Sequence, residues 1–294
     1  MRVGIARHRN QNVLAAAFGD SAVDLSGCGP WENVIALIID WQSAQSVLHR
    51  ALDQRASMIP APVQWLAPIP DPPKFFLLAG NFRPHVVESG FSPLPENNMT
   101  PQFFLKPSTT IVGDSDPISL TPRNTALDYE GELAVVIGKS VKHATSAEAK
   151  QAIWGYTIVN DISERRLNAT MSPRNTRAND EFFDWLAGKW FDNSTPMGPY
   201  IVTADEIAKP EELIVRTFLN TEKVQEARLS TMVHDSAEAM SYISSIVTLQ
   251  PGDVISMGTP AGVGMAHNRF LKHGDVIECE VSQIGRLTNR VQAK

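Results

Sequence analysis

The stretch Asp128-Tyr-Glu-Gly-Glu-Leu-Ala-Val-Val-Ile-Gly138 decides the fold. Leu133 to Ile137 is an unbroken, largely β-branched apolar run closed by a glycine, the pattern of a strand buried on both faces. Side chains on a strand alternate, so Glu130 and Glu132 share a face, about 7 Å apart. Gly131 leaves the other face bare and lets another backbone approach. Two carboxylates leading into a buried strand repel each other and lose hydration, and they stay ionised only beside a compensating cation. Taken alone, the stretch leaves open a strand end with two solvated acids.

The chain has 294 residues, 43% hydrophobic and 20% charged, the composition of one large globular domain or one with a small companion. The net charge of −6 and the lack of a Lys/Arg-rich run argue against nucleic acid or an anionic membrane as partner. The longest apolar run, Val34 to Ile39, is far too short to span a bilayer. Cys28 and Cys279 make no metal-type spacing, and with no signal peptide visible the expected setting is a reducing, cytoplasmic one.

In chain order, residues 1–70 read as a small N-terminal α+β domain. Met1–Ala6 and Asn12–Phe18 are expected to pair as strands, and Trp31–Leu52 to form one or two helices. A run of prolines at 60, 62, 68, 70, 72 and 73 sets the boundary, with residues 71–294 as the second domain. There Lys74–Ala79 reads as a strand, followed by a helix with Pro84 in its first turn. On that helix His85 and Glu88 share a face, the arrangement of a general base with its orienting carboxylate, or of a surface ion pair. Residues 89–101 read as a long loop, a lid or a plain connection. Gly155–Asp161 is a buried strand ending in an acid, and a helix is expected to begin at Ile162, with Asp161 as a possible N-cap. Met171–Asp184 reads as polar and irregular. Lys189, between Gly188 and Trp190, suits an anionic ligand or plain solvent exposure. Ser236–Ile246 is an amphipathic helix. The Gly-rich loop Gly258–Gly264 matches neither a phosphate-binding nor a dinucleotide motif, but its backbone N–H groups and the Thr259 hydroxyl suit a carboxylate. Val276–Val281 reads as the last clear strand.

Together these segments resemble the fumarylacetoacetate hydrolase family: G-N-F-x-x-H-x-x-E (80–88), F-L-K-P (104–107), Y-E-G-E-L-A-V-V-I-G (129–138), G-Y-T-x-x-N-D-x-S (155–163), G-K-x-x-D-x-x-x-P-M-G-P (188–199) and P-G-D-x-I-x-x-G-T-P-A-G-V-G (251–264). They occur in the family's order over about 74–290. The resemblance implies an α+β, mostly β fold, a mixed β-sandwich roll usually assembled as a homodimer. It implies a divalent cation on Glu130, Glu132 and Asp161, whose hard oxygen donors suit Mg²⁺, Mn²⁺ or Ca²⁺. It further implies catalytic roles for His85, Glu88 and Lys189 on a small anionic 2-oxo acid, with the backbone near Thr259 and also Lys106 holding the substrate carboxylate. The expected activity is metal-dependent hydrolysis of a C–C bond in an acylpyruvate-like acid such as fumarylpyruvate. His85 would activate water, Lys189 would steady the developing oxyanion, and pyruvate would leave as its enolate.

The match has departures. Where many members read A-R-D-x-Q after N-D-x-S, this chain reads Glu164-Arg165-Arg166-Leu167-Asn168. Arg165 keeps its place, Arg166 replaces an acid, and Asn168 is shorter than the substrate-reaching Gln, which bears on substrate choice. The same site chemistry serves decarboxylation, hydration and enol–keto isomerisation. A catalytically silent metal-binding homologue and a metal-free binding domain are the readings from other classes.

Overall fold

The computed structural model describes residues 1–55, 57–90, 92, 99–121, 125–168 and 174–293. The loop read as a lid therefore lies largely outside the described residues. The fold is α+β and mostly strand. Its centre is the strand Gly131–Ile137, every residue of which is buried. It pairs antiparallel with Ile153–Asn160 on one side and Val254–Ser256 on the other. Val254–Ser256 runs parallel to Phe75–Ala79, which pairs with Gln102–Leu105. Ile153–Asn160 pairs in turn with Thr195–Thr203. The short strand Ile111–Val112, soon after Gln102–Leu105, returns to lie parallel to Thr195–Thr203. The chain leaving one end of this strand order thus rejoins its middle, and the sheet curls.

Strand alternation splits the core into two faces. Leu133, Val135 and Ile137 pack with Val215, Leu219, Ile277, Cys279 and Val281, which belong to a second, five-stranded sheet among the described residues. Ala134 and Val136 pack on the other face with Leu37, Ile38 and Leu48 of two helices, Val34–Ile39 and Trp41–Gln54. Glu130 and Glu132 share the parity of Ala134 and Val136, so they face away from the second sheet.

At the N-terminus, Arg2–His8 pairs with Gln11–Phe18 around a tighter turn than expected, and also with Thr195–Thr203 and with Gln64–Leu66. The boundary expected near residue 70 therefore falls between segments that share one sheet. Three expectations need correction. No helix begins at Ile162: Ser163–Glu164 pairs with Leu127–Asp128, and the Glu164 carboxylate accepts from the backbone N–H groups of Ala126 and Arg166, which fixes a bridge and turn instead. Residues up to 184 are not all irregular, because Asp180–Ala187 is a helix. Asp180 accepts from Arg177 N, and acids at 180 and 181 suit the positive end of the helix dipole. Finally, Val276–Val281 is followed by Gly285–Ala293, which extends the second sheet and buries Leu287 and Val291 in the hydrophobic core.

Gly131 faces the second sheet. A Cβ there would lie 2.1 Å from Thr217 Oγ1 and 3.2 Å from Cys279 Sγ, so it is side chains, not backbone, that fill the bare face. Gly131→Ala is expected to lower stability by about 1–3 kcal/mol through overpacking. Thr217→Ala should recover part of that loss in a double-mutant cycle of urea melts; additive losses would show that the two residues do not press on each other.

Candidate active site

The acids are gathered by strand register. Gly131 sits opposite Asn160, and Asp161 N donates to Glu130 O at 2.9 Å, so Glu130 and Asp161 become neighbours at the end of the pair. Asn160 Oδ1 accepts from Glu130 N and fixes that corner. Glu130, Glu132 and Asp161, all buried, each place a carboxylate oxygen within 4.8 Å of the others. At that spacing two ionised carboxylates repel by about 3 kcal/mol at an effective dielectric of about 20.

Three cations answer part of this charge. Lys189 Nζ lies 2.6 Å from Glu130 Oε2 and 2.7 Å from Asp161 Oδ2. The rings of Phe104 and Trp185 are 5.6 and 5.8 Å from the same ammonium. Lys106 Nζ lies 2.7 Å from Asp161 Oδ1. Arg165 joins Glu130 Oε1 to Asp128 Oδ2 through two nitrogens of one guanidinium. Burial works to raise the Glu130 pKa, but Lys189 and Arg165 outweigh it and hold the group below the usual carboxylate range. For Lys106 burial dominates and lowers the pKa against the pull of Asp161; for Lys189 burial is outweighed by Asp161 and Glu130, and the pKa rises.

Glu132 differs from its neighbours. Among the described residues no cation lies within ion-pair distance of it. It accepts from Ser256 Oγ at 2.5 Å and Gly258 N at 3.0 Å, both on Oε2, which leaves Oε1 without a donor among the described residues. Burial, then Asp161 and Glu130, push its pKa well above the usual carboxylate range. A buried triad of carboxylates, one lacking a counter-charge and holding an oxygen free, fits a divalent cation with a preference for oxygen ligands.

Beside the triad, on the helix Arg83–Glu88, His85 Nδ1 meets Glu88 Oε1 at 2.7 Å. With Glu88 ionised, Nδ1 donates and Nε2 keeps its lone pair for a proton. His85 is near enough to Glu130 to contribute to its lowered pKa. Glu88 Oε2 accepts from Gly262 N at 2.8 Å. The Gly-rich loop is in fact tied to the acids along its length: Gly258 N to Glu132, Gly262 N to Glu88, and Gly264 N and Met265 N to Asp128. Gly262 has φ +107°, and a Cβ there would lie 2.0 Å from Val224 O, so only glycine fits.

Several expected substrate contacts are engaged elsewhere. The Thr259 hydroxyl donates to Gly131 O at 3.1 Å and accepts from Gln225 Nε2 at 2.9 Å. Asn168 Nδ2 donates to Asp184 Oδ1 at 2.6 Å, and Asp161 is no helix cap. Arg165 reaches two acids, and Lys106 a metal-type ligand. Sequence reasoning missed Asp128, Ser256 and Gln225. Asp128 opens the decisive stretch, and Ser256 lies just before the Gly-rich loop, so both carried a positional signal; Gln225 carried none.

The sequence model of the family described as fumarylacetoacetate (FAA) hydrolase, C-terminal, matches residues 74–292, and the chain belongs to that family. It is 35% identical over 283 residues, covering 95% of this chain and 86% of the relative, to a mitochondrial oxaloacetate tautomerase of Rattus norvegicus. Among solved structures it resembles maleylpyruvate hydrolase from Sphingobium sp. SYK-6 in complex with manganese(II) and pyruvate (TM-score 0.80, 28% identity, 100% of this chain and 99% of that one). It likewise resembles 5-carboxymethyl-2-hydroxymuconate delta-isomerase from Mycobacterium smegmatis (TM-score 0.74, 29% identity, 100% and 99%). Hydrolase, isomerase and tautomerase thus share this fold. Among the described residues no helix is long and apolar enough to cross a membrane.

The raised pKa of Glu132 sets a pH dependence. In chelator, the folded state holds this proton to higher pH than the unfolded chain, so folding loses stability as pH rises from the unfolded carboxylate pKa through the folded one. Glu132→Gln is expected to raise the melting temperature of the chelated protein at pH 7 to 8 and to remove the stabilisation given by added Mn²⁺. A lower melting temperature at that pH would contradict the assignment of an uncompensated charge.

Proposed function

We propose that the protein interconverts the enol and keto forms of a small anionic 2-oxo acid of the oxaloacetate type, with Mg²⁺, Mn²⁺ or Ca²⁺ held by Glu130, Glu132 and Asp161. The observation that carries this reading is the His85–Glu88 pair beside a buried carboxylate triad that has one acid uncompensated. The 35% identity to a tautomerase over 95% of the chain supports it. A divalent cation held by these three carboxylates would supply the Lewis acidity that favours enolate charge.

The chain's own groups do the rest. His85 Nε2 takes the proton from the carbon beside the keto group, and Glu88 holds the imidazolium that forms. The enolate oxygen takes up a proton from solvent to complete the enol; in the reverse direction the enol gives that proton back to solvent and the same nitrogen returns a proton to carbon. Lys189 has three N–H bonds, two of which go to Glu130 and Asp161; the third is available to steady charge on the substrate oxygen. Phe104 and Trp185 cover the ammonium and keep water from weakening that contact.

A second reading, hydrolytic C–C cleavage of an acylpyruvate, has its own support in the likeness to the manganese- and pyruvate-bound maleylpyruvate hydrolase. There His85 takes its proton from water, and the hydroxide adds to the distal carbonyl carbon. Product analysis separates the two. Oxaloacetate enol absorbance should fall in a metal-dependent way, blocked by chelator, with no new carbon fragments; pyruvate released stoichiometrically from an acylpyruvate would favour hydrolysis. His85→Ala is expected to slow turnover about 10²- to 10⁴-fold, and Glu132→Ala to abolish the metal response. Normal turnover in His85→Ala would remove His85 from the mechanism.

A further inference from the structure

Lys106 is fully enclosed and contacts Asp161 Oδ1 at 2.7 Å and Ile162 O at 3.4 Å. Arg165 and Lys189 each bridge two acids and so hold the corner together. Lys106 bridges none: it brings a second cation to Asp161, whose other oxygen already meets Lys189. Its effect on the corner is therefore mainly one of charge. With Glu132 as the carboxylate that a metal ligand must be, Asp128, Glu130, Glu132 and Asp161 set four formal negative charges against the three positive charges of Lys106, Arg165 and Lys189, a surplus of one negative charge. A divalent cation would reverse this to one unbalanced positive charge, again in a buried setting where unbalanced charge is costly.

We propose that Lys106 is a positioning residue that holds down the affinity of the triad for a divalent cation, so that the ion is retained firmly only together with an anionic ligand. This rests on the metal-centre reading above. An anion of the 2-oxo acid class cancels the surplus positive charge. Cation and anion then each tighten the binding of the other by the same factor, as linkage requires. Removing the Lys106 charge makes the cation less dependent on the anion.

The test is a titration with Mn²⁺, free ion being followed by its electron spin resonance, with and without oxalate as a non-enolisable two-oxygen anion and with correction for Mn²⁺–oxalate in solution. Oxalate is expected to tighten Mn²⁺ binding to the unmodified protein at least tenfold. Lys106→Met should bind Mn²⁺ alone at least tenfold more tightly and gain less from oxalate, whereas Lys106→Arg, which keeps the charge, should behave as the unmodified protein. Lys106→Gln, which keeps a donor for Asp161 without the charge, carries the same expectation as Lys106→Met should the latter not fold. Unchanged or weaker Mn²⁺ binding in the uncharged variants, or no oxalate effect on the unmodified protein, overturns the inference alone. Absence of Mn²⁺ binding in every protein, with or without oxalate, overturns the metal centre and the inference with it.

Discussion

Carboxylate repulsion in a buried corner is the constraint around which the molecule is arranged. Three acids with oxygens inside 4.8 Å cannot all be ionised without nearby positive charge, and water is excluded from supplying it. The chain answers with cations drawn from distant places: Lys106 after one strand, Arg165 after another, Lys189 behind a helix. Their contacts serve Glu130 and Asp161 and stop short of Glu132. The asymmetry leaves one carboxylate without a counter-charge, while the other two are paired with cations and fixed in position.

Rigidity comes from the backbone. Gly258 to Met265 offers its N–H groups to acids that have different tasks: Glu132 in the triad, Glu88 behind the imidazole, Asp128 behind Arg165. One short loop thereby fixes the spacing between the His85–Glu88 pair and the carboxylate triad. Gln225, buried, braces the loop from the second sheet through Thr259 Oγ1 and Pro260 O. A site built on backbone donors needs few long side chains in fixed rotamers, and it is correspondingly sensitive to the glycines that let the loop lie so close.

Part of this was legible in the sequence because it is local. Strand parity placed Glu130 and Glu132 on one face, and helical spacing put His85 beside Glu88. The family resemblance added Asp161, whose place depends on a pairing register between two strands that no local pattern encodes. The same long-range geometry explains what was not legible. Lys106 and Thr259 have contacts that no local pattern shows, because their partners, Asp161 and Gln225, lie far away in sequence. The polar stretch before Asp180 hid a helix whose aromatic residues, Phe182, Phe183 and Trp185, stack on one another and on Phe104 instead of forming a conventional buried stripe. Around Ile162, intrinsic preference gave way to Glu164, whose carboxylate secures a bridge to the Ala126 backbone.

The curl of the larger sheet also bears on how the chain reaches this state. The contacts that complete the acid corner and its loop join residues 28 to 174 positions apart, and Lys106 reaches Asp161 from a strand on the far side of the curl. Loop-closure entropy must be overcome before such contacts can contribute. The acid corner is thus among the last parts to become favourable, and the curl works as a completion check: a chain with this sheet still open presents separate, hydrated carboxylates in place of a gathered triad.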